Sequence, residues 1–436
     1  MALDPDRFDE APHATLSQRI RSRTARVAVI GMGYVGSQLA LAQAEAGYHV
    51  LGIEVDPVRL TQLKLATDLS SRIAGGSLQL TNDVQALSTA DVIAICVGTP
   101  LSRNHEPDVG PLCSAAAAVG STLHPGQLVI VESTVYPGAT EELVRGILDD
   151  RGLVCGEDYF LAYAPERVDP GNQRYRFRNT PKLVAGVTPE AGSLAKAFYS
   201  SAVEQVLEVS EPRIAEMAKL YENAYRAVNI SFVNEMMLLC HHMGIDVWEV
   251  LSAAESKPFG IQIFQPGPGI GGHCIPVDPF YLSWKAREYG FQIGFIEQVA
   301  RVNWQVARHV VQQVSTALSD SGKSLRNAKL LVLGVAYKAD VADVRESAAL
   351  RILPELRKLG AQVRYHDPLV AELEVDGEHL RSVDLTPDAL ASSDCVLVLT
   401  DHSGVDYEAV VRYAPLVYDT RNATRLQLPS PNVLRL

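Results

Sequence analysis

The sequence predicts an α/β protein: two Rossmann-like doubly wound domains joined by a central segment of long helices. Three observations carry this. An apolar run, RVAVI from Arg26 to Ile30, passes directly into GMGYVG, Gly31 to Gly36, and then into a helix-forming stretch ending near Gly47. Short apolar runs then alternate with stretches rich in Ala, Leu and Glu to about residue 210, the rhythm of βα units on a parallel sheet. From Glu211 the breakers thin out, and at Lys329 a second alternation begins.

The strand, glycine turn and helix at the start of this order have a chemical meaning. Glycines at 31, 33 and 36 let backbone approach a pyrophosphate, and the new helix points its free N–H groups at that charge. A second strand, HVLGIEV, puts Glu54 eighteen residues past Gly36, where a carboxylate bonds the two ribose hydroxyls and repels a 2'-phosphate. NAD is therefore the expected cofactor. The next runs, from Asp91, Leu128, Tyr159 and Lys182, continue the first sheet, with Thr99 and Pro100, Glu132 to Thr134, and Glu166 at strand ends. Those ends should line one cleft, since ligands of such sheets bind beyond the carboxyl ends of the strands.

In the central segment, apolar residues recur at helical steps through Ile214, Met217, Ala218, Tyr221, Ala224, Tyr225 and Val228. Lys219 and Asn223 lie four apart on one helix face, suited to holding an oxyanion or a water; by themselves they are as readily a solvated pair. His241 and His242 close this helix and are assigned no chemistry. A glycine-rich loop follows, GPGIGGHCIPVDPFYL from Gly267 to Leu282, with Cys274 four residues before Asp278. Glycines give such a loop unusual backbone angles while Pro268, Pro276 and Pro279 restrict it. A thiol on that platform can attack an aldehyde carbon, with Asp278 placed to orient a water. Another helix is expected over 296–318.

The second alternation reads as KLLVLG, AQVRYHDP, DCVLVLTDH and LVYDTRN, with strand ends at Gly334, Asp367, Thr400 and Asp419. Its first turn lacks GxGxxG, so a second dinucleotide is not expected there. Lys338, Arg345 and Arg421 are candidate phosphate-binding cations, although each alone is as readily surface charge.

Composition sets outer limits. With 436 residues and 47% apolar content the chain can bury more than one core. A net charge of -12 and a pI near 5.4 argue against nucleic acid or an anionic membrane as partner. The six cysteines form no CxxC pair, which suggests neither zinc nor a disulfide framework and fits a reducing, cytoplasmic setting. No run reaches the roughly eighteen apolar residues of a spanning helix. Residues 1–25, polar and of mixed charge, read as a flexible tail.

GMGYVG, ESTVYPGATEE, APERVDPGN, MAKLYENAYRAVNI, GPGIGGHCIPVDPFYL, KADVADVRES and DTRN stand in an order that resembles the UDP-glucose/GDP-mannose dehydrogenase family from about residue 26 onward. The ERVDPGN wording looks most like the family's UDP-N-acetylglucosamine 6-dehydrogenases, with UDP-N-acetylmannosamine dehydrogenases somewhat further away. The resemblance implies an NAD-binding domain over 26–210, a helical dimerisation and catalytic-loop domain over 211–320, a UDP-sugar domain over 321–436, and a homodimer or larger assembly. It also implies a four-electron oxidation of a sugar C6 alcohol, with Cys274 passing through a thiohemiacetal and a thioester. Asp278, Lys219, Asn223, Thr134 and Glu166 would support release of the acid. Gly31, Gly33, Tyr34, Val35, Gly36, Glu54, Thr99, Thr134 and Arg345 match NAD positions. Glu166, Arg167, Lys219, Asn223, Gly269, Gly271, Gly272, Lys338 and Arg421 match substrate positions. No metal is implied.

Three departures stand out: Gly98 before Thr-Pro and Ala348 after Glu346-Ser347 replace usual prolines, and Pro170 stands where UDP-glucose enzymes carry a second glutamate. The last weakens UDP-glucose as substrate. A two-electron dehydrogenase would need no thiol, and a silent NAD or UDP-sugar binding protein would need none of Cys274, Lys219, Asn223 and Asp278.

Overall fold

The computed structural model describes residues 12–436 apart from 103, 105, 173, 273 and 428. They group into two compact units, Met1–Glu222 with Phe280–Gly290, and Asn223–Pro279 with Phe291–Leu436. The helical segment expected as a domain over 211–320 thus contributes to both.

In the first unit, strands β1 (Arg26–Ile30), β2 (His49–Ile53), β3 (Leu78–Thr81), β4 (Val92–Ile95), β5 (Leu128–Val131), β6 (Phe160–Tyr163), β7 (Lys182–Gly186) and β8 (Val206–Glu208) form one sheet. Its order among the described residues is β3-β2-β1-β4-β5-β6-β7-β8. Neighbours run parallel except β6 and β7, which pair antiparallel. The order reverses direction between β1 and β4, so the crevice past their carboxyl ends is the unit's ligand position. Apolar and aromatic residues drive these strands: all four residues of β4, β5 and β6 are buried, as a sheet covered on both faces requires.

Helices of this unit are α1 (Pro12–Ser22), α2 (Tyr34–Glu45), α3 (Pro57–Leu65), α4 (Thr67–Ala74), α5 (Gly110–Thr122), α6 (Arg145–Asp149) and α7 (Pro189–Tyr199). The expectation of a flexible tail over residues 1–25 is corrected for α1. Leu16 and Ile20, an i,i+4 apolar pair, are buried in the unit's core. Tyr48 donates a hydrogen bond to the Ile20 carbonyl at 2.9 Å, and Arg19 pairs with Asp91. Mixed charge hid this short amphipathic helix; its exposed side carries the charge. The rest of the tail expectation, residues 1–11, lies outside the described residues.

Helix α8 (Pro212–Met243) contains the division between the units, at 222/223. Its apolar stripe is not its buried side. Met217, Tyr221, Tyr225 and Phe232 are exposed, whereas Glu216, Lys219, Leu220, Asn223, Ala227, Ser231 and Asn234 are buried. The inner face mixes apolar residues, among them Ala215, Leu220, Val233 and Met237, with polar ones that hydrogen-bond: Glu216 accepts from the Gly138 and Thr140 N–H groups and the Thr140 hydroxyl.

The second unit adds α9 (Val247–Glu255) and α11 (Gly294–Asp320), while α10 (Asp278–Glu288) lies mostly in the first. Strands β9 (Lys329–Leu333), β10 (Gln362–His366), β11 (Glu372–Val375), β12 (Glu378–Arg381), β13 (Cys395–Val398), β14 (Val417–Asp419) and β15 (Val433–Arg435) follow. A parallel sheet runs β10-β9-β13-β14-β15, with β11 and β12 a separate antiparallel pair. Alternation along β9 sends Leu330 and Val332 to a core with Val306, Val310 and Val314 of α11, and Leu331 and Leu333 to a second core with Val396 and Val398. Helices α12 (Ala349–Lys358), α13 (Pro387–Ala391) and α14 (Tyr407–Tyr413) complete the unit. Among the described residues no helix is long and apolar enough to cross a membrane.

Candidate active site

The first unit places its glycine turn at the β1/β4 crevice. A Cβ at Gly36 would lie 2.0 Å from the Gly31 carbonyl oxygen, so α2 can start this close to β1 only without a side chain there. Gly33 caps α2 without a side-chain hydrogen bond, and a Cβ at that position would meet nothing within 4 Å. The first N–H groups of α2, on which Tyr34 and Val35 lie, therefore open toward space that suits an anion. Glu54, at the end of β2, accepts from the Met32 N–H at 3.2 Å and the Asp56 N–H at 3.1 Å, which fixes its carboxylate beside the turn. This arrangement fits a dinucleotide: open helix amides for the pyrophosphate and an acid for a ribose.

The expected strand-end residues gather as well. The Thr99 hydroxyl donates to the Thr134 carbonyl at 2.7 Å, tying the ends of β4 and β5, and the buried Tyr281 donates to the Thr99 carbonyl at 2.8 Å. Glu166 follows β6. One of its oxygens accepts from the Arg167 and Val168 N–H groups at 2.7 and 2.6 Å, and the other from Lys182 Nζ at 3.2 Å. Burial pushes the Glu166 carboxyl upward, but Lys182 and the two N–H donors outweigh it and hold it below the ordinary value. It is a fixed anion.

Lys182 sits between two carboxylates, with Glu132 Oε2 at 2.9 Å on its other side. Burial dominates at Glu132 and raises its carboxyl despite Lys182 and a hydrogen bond from Tyr199. Sequence reasoning missed Lys182 and Tyr199; the available signal was a lysine opening the otherwise apolar run KLVAGV. Arg167, expected on the substrate side, forks onto Glu222 at 2.6 and 3.2 Å and donates to the Pro181 carbonyl at 2.8 Å. Its guanidinium is committed to protein partners. Lys219, one turn before Asn223 on α8, is buried.

The second unit holds the thiol. Cys274 is half-buried, and its carbonyl accepts from the Val277 and Asp278 N–H groups at 3.0 and 2.8 Å, joining the loop to the first turn of α10. Asn223 donates to Asp278 Oδ2 at 2.5 Å, with both residues buried, so the structure brings three of the expected catalytic residues into one unit. Arg345, matched to an NAD position, is here in the same unit as the thiol. It forks onto Asp343, and that hydrogen bond is the first of the influences that raise its guanidinium.

The loop glycines face protein. A Cβ at Gly271 would lie 2.8 Å from Tyr337 Cβ, and one at Gly267 would lie 2.5 Å from Arg421 Nη1. The close approach they permit therefore includes the strand-end groups of this unit.

Those strand ends form the second crevice, where the sheet order reverses between β9 and β13. Lys338 is half-buried in the turn after β9. That turn is held at several points. Asp367 accepts from the Val335 and Ala336 N–H groups at 2.7 and 3.0 Å, Thr400 donates to the Ala336 carbonyl at 2.6 Å, and His402 Nδ1 accepts from the Asp340 N–H at 3.0 Å. His402 Nε2 donates to Asp367 at 3.1 Å. Burial works against the Asp367 charge, yet His402 and the N–H donors lower its carboxyl to about 2. Arg421, after β14, donates to the Leu399 carbonyl at 3.0 Å, and burial, only partly offset by Asp401 and Asp419, lowers its guanidinium below the usual value. The His402 and Asp367 pair escaped the sequence reading, although both close strand runs, in LTDH and YHDP.

Comparison with known proteins follows the same division. Three profiles of the UDP-glucose/GDP-mannose dehydrogenase family match: its NAD binding domain over 25–203, its central domain over 213–305, and its UDP binding domain over 331–426. The chain is 33% identical over 412 residues to a UDP-N-acetyl-D-mannosamine dehydrogenase of Pyrococcus horikoshii, covering 91% of this chain and 95% of that one. It is 35% identical over 354 residues to a UDP-N-acetyl-D-glucosamine 6-dehydrogenase of Pseudomonas aeruginosa, covering 79% and 83%. Among solved structures, that of the P. horikoshii UDP-D-ManNAc dehydrogenase superposes with a TM-score of 0.84 at 31% identity, covering 94% of this chain and 98% of that one.

Proposed function

The chain belongs to the UDP-glucose/GDP-mannose dehydrogenase family, and from that premise we propose that it oxidises the C6 alcohol of a UDP-N-acetylhexosamine to the carboxylate in two NAD-dependent steps, with UDP-N-acetylglucosamine as the sugar. It is an NAD-dependent UDP-sugar dehydrogenase. The observation that carries the four-electron course is the Cys274 thiol in one unit with the Asn223 and Asp278 pair.

Bound NAD supplies the hydride acceptor, held by the open N-terminus of α2 and by Glu54. In the first oxidation NAD would take the hydride from C6, while the hydroxyl proton passes to the water that Asp278 orients and out to solvent. Cys274 then adds through sulfur to the aldehyde carbon, and its proton passes to the new oxyanion to give a thiohemiacetal. A second NAD would take the hydride from C6 of the thiohemiacetal while its hydroxyl proton passes to water, and a thioester would remain on Cys274. Asp278 orients the water that cleaves it, and Lys219 and Asn223 donate to the oxyanion that develops. Thr134 supports this step. Glu166 acts as a fixed negative charge, in keeping with its three hydrogen bonds. Lys338 and Arg421 take the diphosphate. Gly269, Gly271 and Gly272 present backbone to the sugar.

UDP-N-acetylmannosamine is the second reading, favoured by the resemblance to the P. horikoshii enzyme over 91% of this chain. Pro170 in place of a second glutamate sets UDP-glucose behind both. The exposed stripe Met217, Tyr221, Tyr225 and Phe232 on α8 supports a homodimer formed through that helix.

The test is Cys274→Ser. Acid release should cease, while the first hydride transfer or an ester adduct, detected by intact mass, persists. Full turnover by this variant would refute the proposed role of the thiol.

A further inference from the structure

The glycine loop ahead of Cys274 contains neither helix nor strand between Gly267 and Gly272. Its backbone groups must therefore be satisfied from elsewhere, and whatever satisfies them sets its shape. Two buried asparagines do so from two different helices. Asn234 of α8, 1% exposed, accepts the Gly267 N–H on Oδ1 at 3.0 Å. Asn303 of α11, 7% exposed, accepts the Ile270 N–H on Oδ1 at 2.7 Å and donates from Nδ2 to the Ile270 carbonyl at 3.2 Å.

Asn303 is a polar residue among buried valines: Val299, Val302 and Val306 of the same helix are all buried. An amide in such a stripe costs stability unless it is bonded, and its bonds go to this loop. Its fit is close, since a Cβ at Gly269 would lie 2.7 Å from Asn303 Oδ1. The Ile270 side chain is anchored as well, in a small core with Ala227 and Val299. Beyond it the Gly272 N–H donates to the Arg345 carbonyl at 3.0 Å. The loop is thus pinned at residues 267, 270 and 272, and the thiol follows two residues later.

We infer that Asn234 and Asn303 are positioning residues for Cys274, fixing the loop so that sulfur meets the aldehyde before the aldehyde can leave. The inference rests on the reading of Cys274 as the nucleophile. Its chemical consequence is selective. The first hydride transfer needs no thiol, whereas capture needs sulfur within bonding reach, and a misplacement of about 1 Å costs on the order of a hundredfold in such steps.

The experiment follows NADH per limiting UDP-N-acetylglucosamine with excess NAD, in the presence and absence of semicarbazide, for the full chain and for Asn303→Ala and Asn234→Leu. Wild-type protein is expected to yield about two NADH per sugar and no semicarbazone, as a four-electron oxidation requires. Both variants should lose at least about tenfold in acid formation and fall toward one NADH, with the balance recovered as semicarbazone, while KM for NAD stays within about twofold. Asn234→Asp keeps the accepting oxygen and should restore the wild-type ratio. If Asn303→Ala does not fold, as judged by circular dichroism and NAD binding, Asn303→Ser carries the same expectation.

Folded variants that still give about two NADH and no semicarbazone, however slowly, would overturn the inference, because lost stability alone leaves the ratio unchanged. If the wild-type protein itself released aldehyde, the nucleophile reading would fall and this inference with it. If UDP-N-acetylglucosamine is not oxidised at all, the same assay is run on UDP-N-acetylmannosamine, where the same two outcomes decide.

Discussion

A lysine between two buried carboxylates decides how the first unit presents Glu166. Lys182 is 3% exposed and pairs with Glu132 and Glu166, and without it both acids would be buried with no cation beside them. The Glu166 carboxyl is depressed, so its charge, and the stability tied to that charge, is present at neutral pH and lost as pH falls below its ordinary range. Lys182→Met removes the cation, burial then dominates, and the Glu166 carboxyl rises. The acid limb of kcat against pH should therefore move upward by about one pH unit or more. Lys182→Arg should return it. The groups facing this cation include Glu132, Tyr199, Cys96 and Glu166; an unmoved acid limb in the methionine variant would show that Glu166 charge does not enter the rate. Sequence inspection found Glu166 because it follows an apolar run, but not Lys182. A residue whose value lies in pairing across strands leaves only a weak trace in one dimension.

Helices carry the next lesson. Breaker-free spacing made α8 and α11 legible, and the glycine turn made α2 legible, since those signals are local. Which face of α8 is buried was not legible from apolar periodicity, because apolar residues lie on both sides: Leu220, Val233 and Met237 are buried among hydrogen-bonding groups, while Met217, Tyr221, Tyr225 and Phe232 are exposed. Helix α1 was missed for the opposite reason: two buried residues, Leu16 and Ile20, sit among charges in a segment that reads as tail. Its contribution is measurable. Leu16→Ala and Ile20→Ala should each destabilise the protein by about 2–4 kcal/mol, read from urea unfolding followed in the first unit. Changes below about 0.5 kcal/mol would mean that α1 is dispensable to that core.

Across the whole molecule, the two sheets follow from alternating apolar runs, while the strand order and the antiparallel pairing of β6 and β7 had no local signature. The outward stripe of α8 leads to an expectation at this scale. Phe232→Asp or Tyr221→Glu should shift the proposed homodimer toward monomer in light scattering, whereas an unchanged mass would contradict a dimer formed through α8. The two units hold complementary chemistry: a dinucleotide turn in one, and a thiol with a nucleotide-binding crevice in the other. The four-electron oxidation proposed for this chain calls for both kinds of group. The most direct measurement is NADH formed per mole of limiting sugar nucleotide with excess NAD, across UDP-N-acetylglucosamine, UDP-N-acetylmannosamine, UDP-glucose and UDP-N-acetylgalactosamine. About two NADH from UDP-N-acetylglucosamine is the predicted result. A ratio near one with any sugar that is oxidised, or no NADH from the whole panel, would contradict it.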